Sequence, residues 1–101
     1  MTITECLVGL SIPAFYSHSF KKGTKPPYVA YLGNGQHQFK SDDTRYYHCN
    51  QYRVEYYFRN KNEEIENEIE EALLSGGFLF EKSEDVYVDS EEVFLIYYYV
   101  Q

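Results

Sequence analysis

The run "YRVEYYFRNKNEEIENEIEEALLSGG", Tyr52 to Gly77, changes its hydrophobic period part-way along. In its first third Tyr52, Val54, Tyr56 and Phe58 alternate with Arg53, Glu55, Tyr57 and Arg59, the period of two expected of a strand with one buried face. Further on, Ile65, Ile69, Ala72 and Leu73 fall at i, i+4, i+7 and i+8, a single apolar stripe on a helix. Asn60 with Glu63 three residues later has the capping-box spacing, and the acidic turn that follows suits the positive end of a helix dipole. Gly76 and Gly77 supply the stop. A strand that feeds a helix with one apolar stripe requires a sheet for that stripe to cover, which selects an α+β architecture. Tyr52, Val54, Tyr56, Phe58, Ile65, Ile69 and Leu73 are its candidate core.

Working backwards, Tyr46, His48 and Asn50 continue the face of Tyr52, with Tyr47, Cys49 and Gln51 opposite. The whole run is about 14 residues, long for one strand, so it is expected to project past the sheet or to bend at a bulge. "GNGQHQFKSDD", residues 33–43, reads as a loop, and "PYVAYLG" before it as a strand with Pro27 at its entrance. Near the N-terminus Ile3, Cys6, Leu7 and Leu10 have helical spacing, and Gly9 and Pro13 limit that helix to two or three turns. After the main helix come Phe78 to Lys82, a turn-rich "SED", "VYV" and "DSEE". The last run, Val93 to Val100, is apolar on both faces, with Val93, Leu95, Tyr97 and Tyr99 on one and Phe94, Ile96, Tyr98 and Val100 on the other. Such a strand is central and covered twice, which adds Leu95 to the core. The second cover is expected from the N-terminal segment or a neighbouring subunit. The sum is a single α+β domain over residues 1–101: a mainly antiparallel sheet of about four strands against one amphipathic helix, with a short N-terminal helix.

Charge is unevenly placed. Residues 1–61 carry eight Lys/Arg against four Asp/Glu, and residues 62–101 one Lys against twelve Asp/Glu, giving +4 and -11 within a net -7. The acidic balance argues against a nucleic-acid binder, whose affinity rests on neutralising phosphates. A chain with a basic and an acidic half suits head-to-tail docking of identical subunits, although solvation of both halves accounts for it equally well. The 12 Tyr and 7 Phe, without Trp, fit a sheet with two covered faces or a subunit interface. Cys6 and Cys49 match no Cys-x-x-Cys pattern and read as reduced, partly buried thiols, with a secreted disulfide as the alternative. No apolar run reaches bilayer-spanning length and no basic leader precedes one, so a soluble protein made in a cytoplasm is expected, with no membrane partner.

Little chemistry is signalled. His18, His37 and His48 share no ligand spacing, and adjacent strand residues such as His48 and Cys49 point to opposite faces. "GNG" at Gly33–Gly35 lacks the spacing and following helix of a phosphate loop. The helix carboxylates Glu63, Glu64, Glu66, Glu68, Glu70 and Glu71 are expected to point mostly away from the apolar stripe, as a solvated or interface-facing surface. No catalytic residue, cofactor or metal is expected, and the chain reads as an assembly module.

"KPPYVAYLGNGQHQFKSDD" followed by "YYHCNQYRVEYYFRNKNEEIENEIEEALLSGGFLFEKSEDVYVDSEEVFLIYYYV" resembles the small tail terminator (tail completion) proteins of siphophages and prophages. The resemblance spans about residues 25–101 and lies in the order and spacing of segments, with no one diagnostic motif. It implies a non-enzymatic virion protein, assembled in the host cytoplasm, that forms a ring, commonly a hexamer. The ring caps the head-proximal end of the tail tube, stops its polymerisation and meets the head connector, while genomic DNA passes through the lumen without specific binding. The N-terminus departs from the family, whose members often begin with a longer helix. Gln36, His37, Phe39, Lys40, Asp42, Asp43, Arg45, Tyr46 and Tyr47 are the candidate contacts to a neighbour or to the tube, because of the length of that loop and the tyrosines beyond it. The alternatives are a neighbouring neck protein (connector or stopper) and a small acidic regulatory or anti-host binding protein.

Overall fold

Six strands and two helices follow one another along the chain. The computed structural model describes residues 2–17, 25–40 and 46–101, with 34–40 and 46–50 described at the backbone alone. The elements are α1 (Ile3–Val8), β1 (Ala14–Tyr16), β2 (Tyr28–Lys40), β3 (Tyr46–Phe58), α2 (Glu63–Ser75), β4 (Phe80–Lys82), β5 (Val86–Val88) and β6 (Val93–Val100). The sheet order is β1-β2-β3-β6-β4, and β5 also pairs with β6. All pairings are antiparallel except β1 with β2, which run parallel from Ala14↔Val29 to Tyr16↔Tyr31. The α+β reading therefore holds, with two strands more than the four expected. Both additions, β1 and β5, are three residues long, too short for an alternating pattern to declare itself.

Alternation along the central strands builds two clusters. On the helix side Val29, Tyr31, Val54, Tyr56, Phe58, Ile96, Tyr98 and Val100 meet Ile69 and Leu73 of α2 and Ile3 and Leu7 of α1, with Tyr52 and Ile65 half-buried at the margin. On the other side Tyr28, Ala30, Tyr57, Val93 and Leu95 form a smaller cluster joined by Phe15, Val88 and Tyr97. Leu95 is thus a core residue on the face away from α2. α1 lies on the α2 side, so among the described N-terminal residues only Phe15 contributes to the second face.

The start of α2 corrects the expected cap. Asn62, not Asn60, is the N-cap, and its Oδ1 accepts from the Glu64 and Ile65 amides at 3.0 and 3.4 Å. A helix begun at Lys61 would place a cation at the positive end of the dipole. Beginning at Glu63 places Glu63, Glu64 and Glu66 there instead. At the other end the Phe78 amide donates to the Leu73 carbonyl and the Gly77 amide to that of Leu74, both at 3.0 Å, the paired bonds of a Schellman close. Gly77 takes φ +86°, which a side chain would strain. Gly76 has an ordinary φ but lies against α1, where an added Cβ would collide with the Cys6 sulfur.

The largest departure from expectation concerns "GNGQHQFK". It is strand, not loop: β2 shifts register between Gly33 and Gln36, then pairs with β3 from Gln36↔Asn50 to Lys40↔Tyr46. Ladder hydrogen bonds are made by backbone, so polar composition does not forbid a two-stranded ribbon once the facing strand is long enough. β6 pairs with β3 only as far as Tyr52↔Val100. Residues 46–51 of β3 therefore run about 20 Å beyond it at ~3.3 Å per residue. The extents are 50 × 27 × 24 Å and the radius of gyration 14.9 Å, against about 13 Å for a compact chain of this length.

Candidate assembly surfaces

The projecting ribbon gathers most of the residues singled out from the sequence. Gln36, His37, Phe39 and Lys40 stand in register with Asn50, Cys49, Tyr47 and Tyr46 respectively. Asp42, Asp43 and Arg45 lie outside the described residues, as does His18. What reads as a loop followed by a strand is one β-arm, and its root is fixed in the body by Tyr52, whose ring meets Phe78 edge-on at 6.2 Å.

The acidic helix is less solvated than its composition suggests. Glu66 is 2% exposed, and α2 buries Glu66, Ile69 and Leu73 together. Lys82 Nζ donates to Glu66 Oε1 at 2.7 Å, and Lys61 Nζ sits 2.8 Å from Oε2, an ion pair without the alignment of a directed hydrogen bond. Lys82 also donates to Glu70 Oε2 at 3.1 Å, which accepts the Tyr98 hydroxyl at the same distance. Lys61 continues to Asp85 at 3.1 Å. Burial pushes the Glu66 carboxyl up, but the close contacts and charges of Lys61 and Lys82 outweigh it and leave it below the usual carboxylate range. Burial lowers Lys82, and bonding to Glu66 and Glu70 reverses that to a net rise. Burial, then the Glu66 charge, pushes the Tyr56 phenol up to about 12, and its hydroxyl has no partner among the described groups. Of the remaining carboxylates, Glu68 is also engaged, accepting the Ser11 amide at 2.6 Å and its hydroxyl at 2.8 Å, which ties the end of α1 to α2. The expectation that these glutamates face mainly outward therefore fails for Glu66, Glu68 and Glu70. A usable signal was present in the sequence. Lys82 is the only Lys or Arg among residues 62–101, and a lone cation amid carboxylates marks where two of them converge.

A second buried carboxylate sits on the opposite face. Glu55 accepts the Tyr57 hydroxyl at 2.7 Å and Arg53 Nε at 2.9 Å, all three on alternate positions of β3. Burial and the Glu55 hydrogen bond raise the Tyr57 phenol strongly. Arg53 lies 5.8 Å from the Tyr97 ring centre, and Tyr97 stacks on Tyr99. At the root of the arm a cleft of about 670 Å³ opens between the end of α2, β4 and the end of β6, lined by Tyr52, Leu74, Leu79, Glu81, Tyr99 and Gln101 among others. Leu74, Leu79 and Tyr99 are exposed there.

Among the described residues no three His, Cys, Asp or Glu side chains are arranged to hold a metal ion, and no helix is long and apolar enough to cross a membrane. Cys6 is a buried free thiol. Compared with known proteins, the chain matches no family model and no curated protein.

Proposed function

We propose that this chain is a phage tail terminator: a non-enzymatic subunit of a ring on the head-proximal end of the tail tube. The ring ends tube polymerisation and forms the surface that meets the head connector. The observation that carries this reading is the β-arm. The backbone of this two-stranded ribbon runs about 20 Å past the end of its pairing with β6, and a surface it touches elsewhere accounts for that length. The resemblance over residues 25–101 points to the same class, and the tyrosines of the arm suit a contact that is apolar with a polar handle. Its partners are then further copies of itself, commonly six, together with the tail tube protein and the connector. The -11 of residues 62–101 would let DNA traverse the lumen without adhering.

Disruption of the reading frame in its phage, followed by electron microscopy of the particles, tests the proposal. Overlong tails are the expected result. Tails of normal length unattached to heads would assign the chain to the connector or stopper, and intact virions would remove it from the neck altogether.

A further inference from the structure

Strand β4 closes one side of the sheet and, among the described residues, pairs only with β6. Leu79 and Gln101 exchange both backbone hydrogen bonds at 2.9 Å, and the Ser83 amide donates to the Tyr97 carbonyl at 2.8 Å. The odd-numbered backbone groups of this stretch therefore turn inward, and the amides and carbonyls of Phe80 and Lys82 are directed outward. A lysine on an edge strand ordinarily guards it against a further strand. Lys82 is instead drawn onto α2, where its ammonium donates to Glu66 at 2.7 Å and to Glu70 at 3.1 Å.

The two faces of this edge differ in chemistry. Phe80 lies on the helix side, packed on the main core with its ring edge-on to Tyr98 at 5.6 Å. Exposed Leu74, at the end of α2, lines the same cleft as Phe80. Glu81 points the other way, in register with exposed Tyr99, and no ion pair engages it among the described residues. Little nearby neutralises it. From Leu79 to Glu92, all of it described, the chain has six carboxylates and only Lys82. Of those six, Asp85 alone has a described ion pair, with Lys61. The edge is thus open in its backbone, apolar on one face and anionic on the other.

We infer that β4 receives an extended segment of a partner protein, alternately apolar and cationic, as an added strand. The outward amides and carbonyls of Phe80 and Lys82 supply the main-chain bonds, the way an exposed sheet edge takes up a peptide. An apolar side chain set beside Phe80 meets Leu74 and the cleft. A lysine or arginine set beside Glu81 meets a free carboxylate and the Tyr99 ring. Charge selects the class of occupant. An acidic strand would satisfy the same backbone groups but add repulsion at Glu81 and its neighbours. The edge, the cleft and the charge are the same whether or not the subunit joins a ring, so the site is independent of the terminator reading.

The probe is a blocked, fluorescently labelled peptide of alternating leucine and lysine, titrated against the full chain and read by anisotropy. Saturable binding is expected, with amide NMR shifts centred on Phe80 and Lys82, and the same peptide with glutamate for lysine should not bind. Glu81→Lys should weaken binding about tenfold or more. Glu71→Lys changes the net charge equally but lies in the groove beside α1, so it should alter binding less than about twofold. Circular dichroism checks each fold, and Leu79→Lys replaces Glu81→Lys if that variant does not fold. Methylating the peptide nitrogens at alternate positions should abolish binding in one set and spare it in the other, because only one set faces β4. Absence of saturable binding, binding of the glutamate peptide, equal losses in Glu71→Lys and Glu81→Lys, or equal effects of the two methylated sets would each overturn the inference. Self-association of wild type that Glu81→Lys abolishes and the probe cannot displace would make a second copy the occupant and reject it as well. Tail-length microscopy bears on the terminator alone. Overlong tails without peptide binding would keep the terminator and discard the site, and peptide binding with intact virions would do the reverse.

Discussion

Glu66 and Lys82 show why removing the two ends of one ion pair has unequal effects. Glu66 is almost wholly out of water, whereas Lys61 and Lys82 retain 44% and 35% of their side-chain exposure. Lys82→Met leaves a buried carboxylate with one cation and should cost about 2–4 kcal/mol. Glu66→Met leaves two lysines that can rehydrate and keep Asp85 and Glu70, so it should fall within about 1 kcal/mol of wild type. Denaturant melts of the two variants decide this, and a larger loss for Glu66→Met would refute it. The pH dependence follows from the same contacts. The folded-state Glu66 carboxyl lies below its ordinary value of 4.5, so its contribution is present above that pH and fades as pH falls through the lowered value. Lys61 and Lys82 lie above 10.5, so theirs is complete below that pH and fades as pH rises past it. Thermal midpoints of wild type should drop on the acid side, and Glu66→Gln should flatten that drop.

At the scale of elements, caps and periods carry different amounts of information. The 3.6-residue stripe of α2 was readable because Ile65, Ile69 and Leu73 sit among charges, but counting apolar positions alone concealed Glu66, which shares the buried side with Ile69 and Leu73. Two asparagines two residues apart offer the same capping chemistry, and the choice falls to the charge of the residue between them. Asn62→Ala should therefore lose about 1 kcal/mol, and Asn60→Ala less than about 0.5. Equal losses on thermal denaturation would show that the helix start is shared between the two. The expected apolar face of β3 holds, but Glu55 and Tyr57 opposite it are buried as well, so β3 is covered on both sides where one buried face was expected. The last strand, β6, apolar on both faces, is covered twice as expected, with Leu95 and Ile96 buried on opposite sides. β1 and β5 could not be found that way, since three residues contain barely one period. Their pairing is imposed by β2 and β6. The arm was illegible for another reason. Its polar, glycine-flanked sequence is what a turn requires, and only the length of the facing strand hinted that it was paired.

For the molecule as a whole, the described core lies in the body. Both buried clusters draw on residues up to Tyr31 in β2 and from Tyr52 in β3, so the described core owes nothing to the ladder between Gln36 and Asn50. A two-stranded ribbon alone is marginal in water, and its ordering in isolation is a cost that contact with another surface offsets. Replacing Tyr46 and Tyr47 with serine should therefore leave the thermal midpoint of the body within about 4 °C of wild type, equivalent to less than about 1 kcal/mol. The same change should weaken ring formation or attachment to the tube, read by co-sedimentation with tail tubes. Loss of tube binding with self-association preserved would assign the arm to the tube. Loss of both would assign it to the neighbouring subunit. A variant that assembles and binds tubes as wild type does would leave the arm without a role in assembly and remove the observation on which the terminator reading chiefly depends.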